Sequence, residues 1–184
     1  MDQTDFSIVM PVLNGVLTIE RSISSVLNQT HRSFELIVVD NGSTDGTIEL
    51  LDRFSSEDRR VNVVHCEQKG ASHARNKGVG FCLGKYVAFI DSDDIWVADK
   101  LSIQMAFLDR HNCKFICGSY QPIDSEGNKL GLVRVAKQKA GYSDILVNCT
   151  IGCSSVVVDR RLLADQPFPD IDKDDWVLWL NLLR

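Results

Sequence analysis

The feature that most constrains the fold is a regular alternation of strand-like and helix-like segments over the first 111 residues. Four apolar runs predict strands, and the segment after each one has apolar residues at helical spacing. The second run, FELIVVD at 34–40, is apolar almost without interruption, as expected of a strand buried on both faces. This β-α order predicts an α/β fold, a Rossmann-like, mostly parallel sheet with helices on both faces. The predicted strands are 6–12, 34–40, 61–66 and 85–91, and the predicted helices are 18–29, 45–55, 71–83 and 99–111.

The pattern changes after residue 112. Residues 114–124 and 129–135 have strand patterns on either side of the turn SEGN, and 154–159 is a further apolar run. They predict a smaller, mixed β region. The last ten residues, DWVLWLNLLR, are apolar almost all round, and a helix of that kind needs cover. We expect that the natural chain continues past this helix, or that the helix docks on a partner or a membrane.

Charge and composition exclude several classes of protein. A net charge of -5 gives no electrostatic basis for binding nucleic acid. No apolar run reaches the roughly 18 residues that span a bilayer, and the acidic start MDQTDF is unlike a signal peptide. We therefore expect a cytoplasmic protein whose six cysteines stay reduced. A zinc site is disfavoured because the two C-x-x-x-C spacings do not match common zinc modules.

Polar residues follow three of the predicted strands, at Pro11–Asn14, Asp40–Asp45 and Asp91–Asp94. The carboxyl ends of parallel strands lie at one edge of a sheet, where ligands bind in open α/β folds. Turn and capping chemistry explains every residue type at 40–45. It does not explain why a carboxylate ends a buried strand, so we expect the three groups to form one site.

The third of these groups, DSDD at 91–94, has three carboxylates in four residues. A helix cap needs only one of them, and crowding like charges is unfavourable without a positive partner. Asp91 and Asp93 are two residues apart, so in an extended chain their side chains point to the same side. Two such carboxylates fit Mg²⁺ or Mn²⁺, which completes its coordination with water and substrate phosphates.

Six segments of the chain, taken in order, resemble family-2 glycosyltransferases with a GT-A fold. This resemblance implies an inverting enzyme that uses a nucleotide sugar. It also implies a single domain over 1–184, with 1–112 as the nucleotide-sugar-binding half and 113–184 as an acceptor-side half that is C-terminally truncated. The segments are SIVMPVLNG, SISSVLNQT, FELIVVDNGSTDGT, GASHARNKGV, GKYVAFIDSDD and KDDWVLWLNLL.

The resemblance places the donor along the carboxyl edge of the sheet. Two departures from the family pattern affect the expected recognition of the nucleotide base: Leu13 stands where an aromatic is common, and Asn41 stands where Asp is common. An amide can donate or accept a hydrogen bond, so uridine is favoured and thymidine and guanosine stay open. The donor-binding residues that the resemblance implies are Pro11, Val12, Asn14, Asp40, Asn41, Arg75, Asn76, Asp91 and Ser92.

The resemblance also implies a metal and a base. Asp93, with Asp91, would hold Mn²⁺ or Mg²⁺, and Asp175 would take the proton from the acceptor hydroxyl. Asp172 and Asp174 are nearby competitors for the role of base. Taken without the resemblance, acids at 174–175 equally suit the first turn of a helix, where they interact favourably with its dipole.

The partners implied are a nucleoside diphosphate sugar and a glycan or lipid-linked glycan acceptor, in bacterial surface polysaccharide synthesis. Association with the inner face of the membrane and with a second copy of the chain are both compatible with this function. A sugar-1-phosphate nucleotidyltransferase would need a glycine-rich, basic loop after the first strand, whereas the segment PVLNGVLTIERS has no basic residue before Arg21. A non-catalytic domain that binds a nucleotide sugar is a further alternative.

Overall fold

Four adjacent parallel strands make up one side of a six-stranded sheet in the computed structural model, which describes residues 4–184. The sheet order is β3-β2-β1-β4-β6-β5, and β6 runs antiparallel to both of its neighbours. The strands are β1 (Phe6–Val12), β2 (Phe34–Asp40), β3 (Val61–His65), β4 (Tyr86–Phe89), β5 (Phe115–Cys117) and β6 (Val156–Asp159). The parallel sheet predicted from the sequence is confirmed.

Helices cover both faces of this sheet, as predicted. Side chains of α1, α2 and α4 pack into a core on one face, and those of α3, α5 and α6 pack into a core on the other. Every residue of β1 is buried because both faces of this strand are covered. The helices are α1 (Ile19–Leu27), α2 (Thr47–Glu57), α3 (Ala71–Val79), α4 (Lys100–His111), α5 (Tyr142–Val147) and α6 (Asp174–Leu182). Within residues 4–184, no helix has the length and apolar character needed to cross a bilayer.

The second half of the chain, residues 113–184, differs from its prediction. The predicted strand 129–135 is wrong, since its pairing with residues 120–123 consists of two isolated bridges, Tyr120 to Arg134 and Ile123 to Lys129, and not of a continuous ladder. Its apolar residues would lie on both faces of an extended strand, but all of 128–135 is exposed, so no buried face stabilises a ladder. The predicted strand 114–124 shortens to β5, and α5 was not predicted.

The last helix is covered on one side within this chain, while its other apolar residues stay partly exposed. The expected continuation of the chain, or docking on a partner or a membrane, stays a prediction. Leu178 and Trp179 are fully buried. The ring of Trp179 lies 5.3 Å from that of Phe115, 6.0 Å from Phe168 and 6.2 Å from Phe89, measured between centroids. α6 is therefore part of the second core, and its first residues are fixed relative to the sheet.

Close packing of α3 on the sheet depends on Gly78. A Cβ atom at this position would lie 2.5 Å from Val9 Cγ1 and 3.0 Å from Val39 Cγ2, both in buried side chains of the central strands. The absence of a side chain lets α3 approach β1 and β2. One turn earlier on the same helix is Arg75, so this approach also sets the position of that guanidinium.

We expect Gly78→Ala to lower the free energy of unfolding by about 1–3 kcal/mol, because an added methyl overpacks a filled core. Urea unfolding measures the change. Gly141→Ala is the matched control, since Gly141 has a φ of -107° and a Cβ added there would meet no atom within 4 Å beyond its chain neighbours. Equal unfolding midpoints for the two variants would contradict this packing of α3.

Candidate active site

The carboxyl ends of β1, β2 and β4 border a single cavity of about 320 Å³. This volume is at the lower end of the range for small-molecule sites. Residues from all three predicted polar groups or next to them reach its wall, together with the start of α3. The lining residues are Pro11, Val12, Leu13, Asn41, Gly70, Ala71, Ala74, Arg75, Asp91, Ser92 and Asp93.

A buried arginine joins two acidic segments beside this cavity. Arg75 donates from Nη2 to Asp91 Oδ1 and from Nη1 to Asp174 Oδ2, each at 2.8 Å. Its side chain is 9% exposed, and its guanidinium lies 5.5 Å from the centroid of the Phe168 ring. An arginine stays charged in proteins, so its burial requires these two partners. The pair of bonds brings the start of α6 to the end of β4.

The three carboxylates of the 91–94 turn have three different environments. Asp91 pairs with Arg75, whereas Asp94 accepts a hydrogen bond from the Ser154 hydroxyl. The same hydroxyl oxygen accepts from the Asp91 N–H at 3.0 Å. Burial raises the pKa of Asp94, and the charges of Asp91 and Asp93 raise it further. The carboxylate of Asp93 is exposed at the cavity and makes no hydrogen bond within residues 4–184.

The residues present fit a divalent cation that shares its coordination with a substrate. In the described part of the chain, no group of three or more His, Cys, Asp or Glu side chains is arranged to hold a metal ion. The turn instead offers Asp93 and the Oδ2 atom of Asp91, whose Oδ1 bonds Arg75. One or two carboxylates, water and phosphate oxygens make up a usual Mg²⁺ site.

The end of β2 uses its polar side chains to order neighbouring loops. Asp40 is buried, accepts from the N–H groups of Gly42 and Ser43 at 3.1 and 3.2 Å, and does not line the cavity. The Asn41 amide donates to the carbonyls of Cys66 and Gln68 and accepts from the Gly70 N–H. Recognition of the nucleotide base by Asp40 and Asn41 stays a prediction. The bonds that Asn41 forms in the structure hold loop 66–70 in place.

The two predicted asparagines also bond the backbone. Asn14 adopts a left-handed φ of 54° and accepts from the Thr44 N–H at 2.8 Å, which connects the loops after β1 and β2. Asn76 forms two 2.8 Å bonds, one to the N–H and one to the carbonyl of Phe168. Neither residue lines the 320 Å³ cavity, and Asn76 lines a different one next to Leu163. Donor contacts by these asparagines remain predictions.

Asp175 has the properties of a proton acceptor. Burial raises its pKa, the charges of Asp174 and Asp91 raise it further, and Arg75 opposes them. Its Oδ1 accepts from the Trp176 N–H at 2.7 Å. Of the two competitors, Asp174 is ion-paired with Arg75 and Asp172 is exposed. Among the three, Asp175 is therefore the half-buried carboxylate without an ion pair.

Sequence reasoning missed two residues that shape this site. Ser154 holds the acidic turn, and Asp174 is the partner of Arg75. Ser154 precedes β6, and the pairing of Ala88 with Val157 places the start of β6 beside the end of β4. In the sequence, Ser154 and Ser155 directly before an apolar strand could have indicated a polar contact at this strand's start. Its partner could not be identified without knowing that β6 pairs antiparallel with β4.

Comparison with known proteins agrees with this geometry. The model of the family described as glycosyl transferase family 2 matches residues 7–163. The chain is 43% identical over 185 residues to the UDP-Glc:alpha-D-GlcNAc-diphosphoundecaprenol beta-1,3-glucosyltransferase WfgD of Escherichia coli, covering 100% of this chain and 72% of WfgD.

Two solved structures share the fold. TarS of S. aureus in complex with UDP superposes with a TM-score of 0.82 at 21% identity, covering 97% of this chain and 55% of TarS. The mannosyltransferase PcManGT of Pyrobaculum calidifontis, in complex with GDP-Man and Mn²⁺, gives 0.75 at 21% identity, covering 96% of this chain and 51% of PcManGT. The chain thus spans about half the length of each of these two proteins, and its fold is the GT-A fold.

The family match covers most of the described chain, and it includes the strand ends that border the cavity. A full-length alignment at 43% identity supports the same assignment independently of the fold. The chain belongs to glycosyl transferase family 2.

Proposed function

We propose that this protein transfers a sugar from a nucleoside diphosphate sugar, with a UDP-sugar favoured, to a hydroxyl of a lipid-linked glycan in bacterial surface polysaccharide synthesis. The observation that carries the proposal is the arrangement around Arg75. Its guanidinium joins Asp91, beside the cavity, to Asp174, the neighbour of Asp175. Residues suited to hold a donor and to accept a proton are therefore linked through one side chain.

The relatives support the choice of substrates. The name of WfgD gives UDP-Glc as its donor and a GlcNAc-diphosphoundecaprenol as its acceptor. TarS binds UDP, whereas PcManGT binds GDP-Man with Mn²⁺, which keeps guanosine open and supports a divalent ion. Because this chain covers only part of each protein, the donor and the acceptor are both part of the proposal.

In this proposal, the charges of the diphosphate, of a divalent ion and of two carboxylates determine how the donor binds. The diphosphate would lie in the cavity at the carboxyl edge, where Asp93 and Asp91 would hold Mn²⁺ or Mg²⁺. Such an ion, when bound, neutralises negative charge on phosphate oxygens. Asp94 stays bonded to Ser154, which keeps its carboxylate away from this role. Arg75 fixes the direction of Asp91, so one of its two oxygens remains free for the ion.

The transfer step is a single displacement. The acceptor hydroxyl oxygen forms a bond to the anomeric carbon, the bond from that carbon to the diphosphate breaks, and the electron pair leaves with the diphosphate. Asp175 takes the hydroxyl proton, which its raised pKa favours. Attack on the face opposite the leaving group inverts the anomeric configuration. Arg75 holds Asp174 and with it the start of α6, so Asp175 has a fixed position.

The nucleotidyltransferase alternative finds less support in the structure. The loop after β1 has no basic residue before Arg21, and the Arg21 guanidinium already donates to the carbonyls of Ser125 and Asp93. A triphosphate would find no basic loop there. A non-catalytic binding domain would bind a nucleotide sugar without turnover, so assays of transfer with and without a divalent ion separate it from an enzyme.

We expect Asp93→Ala to weaken Mn²⁺-dependent binding of UDP by at least roughly tenfold, because loss of even an indirect metal contact commonly costs that much. Titration calorimetry with UDP, in the presence and in the absence of Mn²⁺, measures the change. Asp99→Ala is the control: it removes a nearby exposed carboxylate that makes no capping bond at the start of α4. Unchanged UDP affinity in Mn²⁺ would exclude Asp93 as a ligand.

We expect Asp175→Asn to reduce kcat by roughly 10²- to 10⁴-fold, the usual contribution of a general base. Donor affinity should change little, because the Asn side chain has the same shape and Asp175 does not line the donor cavity. Single-turnover transfer and UDP binding, measured on the same preparation, separate the two effects.

Asp172→Asn is the control for this variant, since Asp172 is an exposed neighbour. Asp175 must be ionised to accept a proton, and its pKa lies above the ordinary value, so the rate should fall as the pH drops through that raised pKa. This acid limb should be absent from the residual rate of Asp175→Asn. A variant rate close to that of the wild type would rule out Asp175 as the base.

A further inference from the structure

An exposed segment in the second half combines apolar and basic side chains. We call residues 129–139, KLGLVRVAKQK, the basic strap; it contains four cations and no acid. Leu132 is 88% exposed and Val135 is 75% exposed, and Leu130 and Val133 are about half exposed. Soluble surfaces carry scattered apolar residues, but a run of them in one short segment marks an interaction site.

The charge of the strap opposes that of the rest of the chain. The whole chain has a net charge of -5, yet within residues 4–184 the side chains of Lys129, Arg134 and Lys139 form no ion pair. Lys137 pairs with Asp144 at 2.9 Å. Apolar side chains flanked by cations are the composition that binds the headgroup region of anionic bilayers.

Contacts through its backbone attach the strap to residues 119–123. Tyr120 and Arg134 exchange two backbone hydrogen bonds of 3.0 and 2.6 Å, and the Leu130 N–H donates to the Pro122 carbonyl at 2.8 Å. These contacts use the backbone and leave the side chains of Leu132, Arg134 and Val135 directed to solvent. The same residues are therefore available to a partner surface without unfolding of the domain.

The turn that leads into the strap is held next to the donor cavity. The guanidinium of Arg21 donates to the Ser125 carbonyl at 2.6 Å and to the Asp93 carbonyl at 3.2 Å. A Cβ at Gly127 would lie 3.5 Å from Ile95 Cδ1, two residues past Asp93. A surface bound by the strap would therefore lie beside the Asp93 end of the cavity.

We propose that the basic strap docks this protein on an anionic phospholipid bilayer. The inference deepens the proposed function and rests on it for its purpose, because a lipid-linked acceptor presents its sugar at a bilayer surface. Charge complementarity and the apolar side chains between the cations select a bilayer over a polar protein surface. Docking through the strap would bring the acceptor hydroxyl to the same side of the domain as Asp93.

The test is co-sedimentation of the full chain with vesicles, without donor or acceptor. We expect binding to vesicles that contain phosphatidylglycerol and much weaker binding to vesicles of phosphatidylcholine alone. Lys129→Glu with Arg134→Glu should weaken binding on the order of tenfold or more, because each cation near an anionic surface contributes severalfold. Leu132→Asp with Val135→Asp should weaken binding comparably while leaving the strap's cations in place.

The control reverses one charge and replaces one apolar side chain at the other end of the sheet. Leu83 and Arg59 are exposed and precede β4 and β3, so Leu83→Asp with Arg59→Glu should bind vesicles like the wild type. UDP binding and thermal unfolding of every variant show whether the domain remains folded. Because vesicle binding is measured without turnover, failure of the proposed transferase activity does not affect this readout.

Three results would overturn the proposal. The first is a wild-type protein that does not sediment with anionic vesicles, and the second is a pair of strap variants that bind as the wild type does. The third is self-association: a concentration-dependent dimer in the absence of lipid, abolished by Leu132→Asp with Val135→Asp, would assign the strap to a second copy of this chain.

Discussion

The geometry of the site depends on one buried guanidinium. Arg75 pairs with Asp91, 16 residues further along the chain, and with Asp174, 99 residues away. Loss of either carboxylate would leave a buried charge partly uncompensated, which is far more costly than loss of a surface ion pair. Arg75 reaches this position because Gly78 lets α3 lie close against Val9 and Val39. The packing of α3 against the sheet therefore determines where the charge pairs of the site can form.

The crowding of carboxylates at 91–94 is relieved mainly by the protein itself. Asp91 has an arginine and Asp94 has the Ser154 hydroxyl, which opposes the rise in the pKa of Asp94 that burial and the two neighbouring charges cause. This leaves Asp93 as the carboxylate that faces the cavity without a partner among residues 4–184. A turn with three acids thus presents to a ligand one free carboxylate, Asp93, and one carboxylate with a single free oxygen, Asp91, and one or two carboxylates are common in sites for Mg²⁺.

The first half of the fold was predictable because burial on both faces gives β1 and β2 a mostly apolar sequence, and because turn residues mark each strand end. The grouping of Pro11, Asn41 and Asp91 at one cavity follows from parallel topology alone. The partners of each polar side chain were not predictable. Asn41 and Asn76 bond backbone groups that become neighbours only in the folded chain. The strand pattern at 129–135 was misleading because apolar residues stabilise a strand only where another element covers them.

Two arginines of the first half attach the second half to the acidic turn, and they differ in strength. Arg75 uses two charged partners in a buried setting, and it holds the start of α6, which carries the proposed base Asp175. Arg21 uses two neutral backbone carbonyls near the surface, and it holds the turn that leads to the basic strap. Bonds between charged groups in a buried environment are stronger than those to carbonyls exposed to water. The start of α6, with Asp175, is therefore held more firmly to the end of β4 than the turn at 125–127 is held to Asp93.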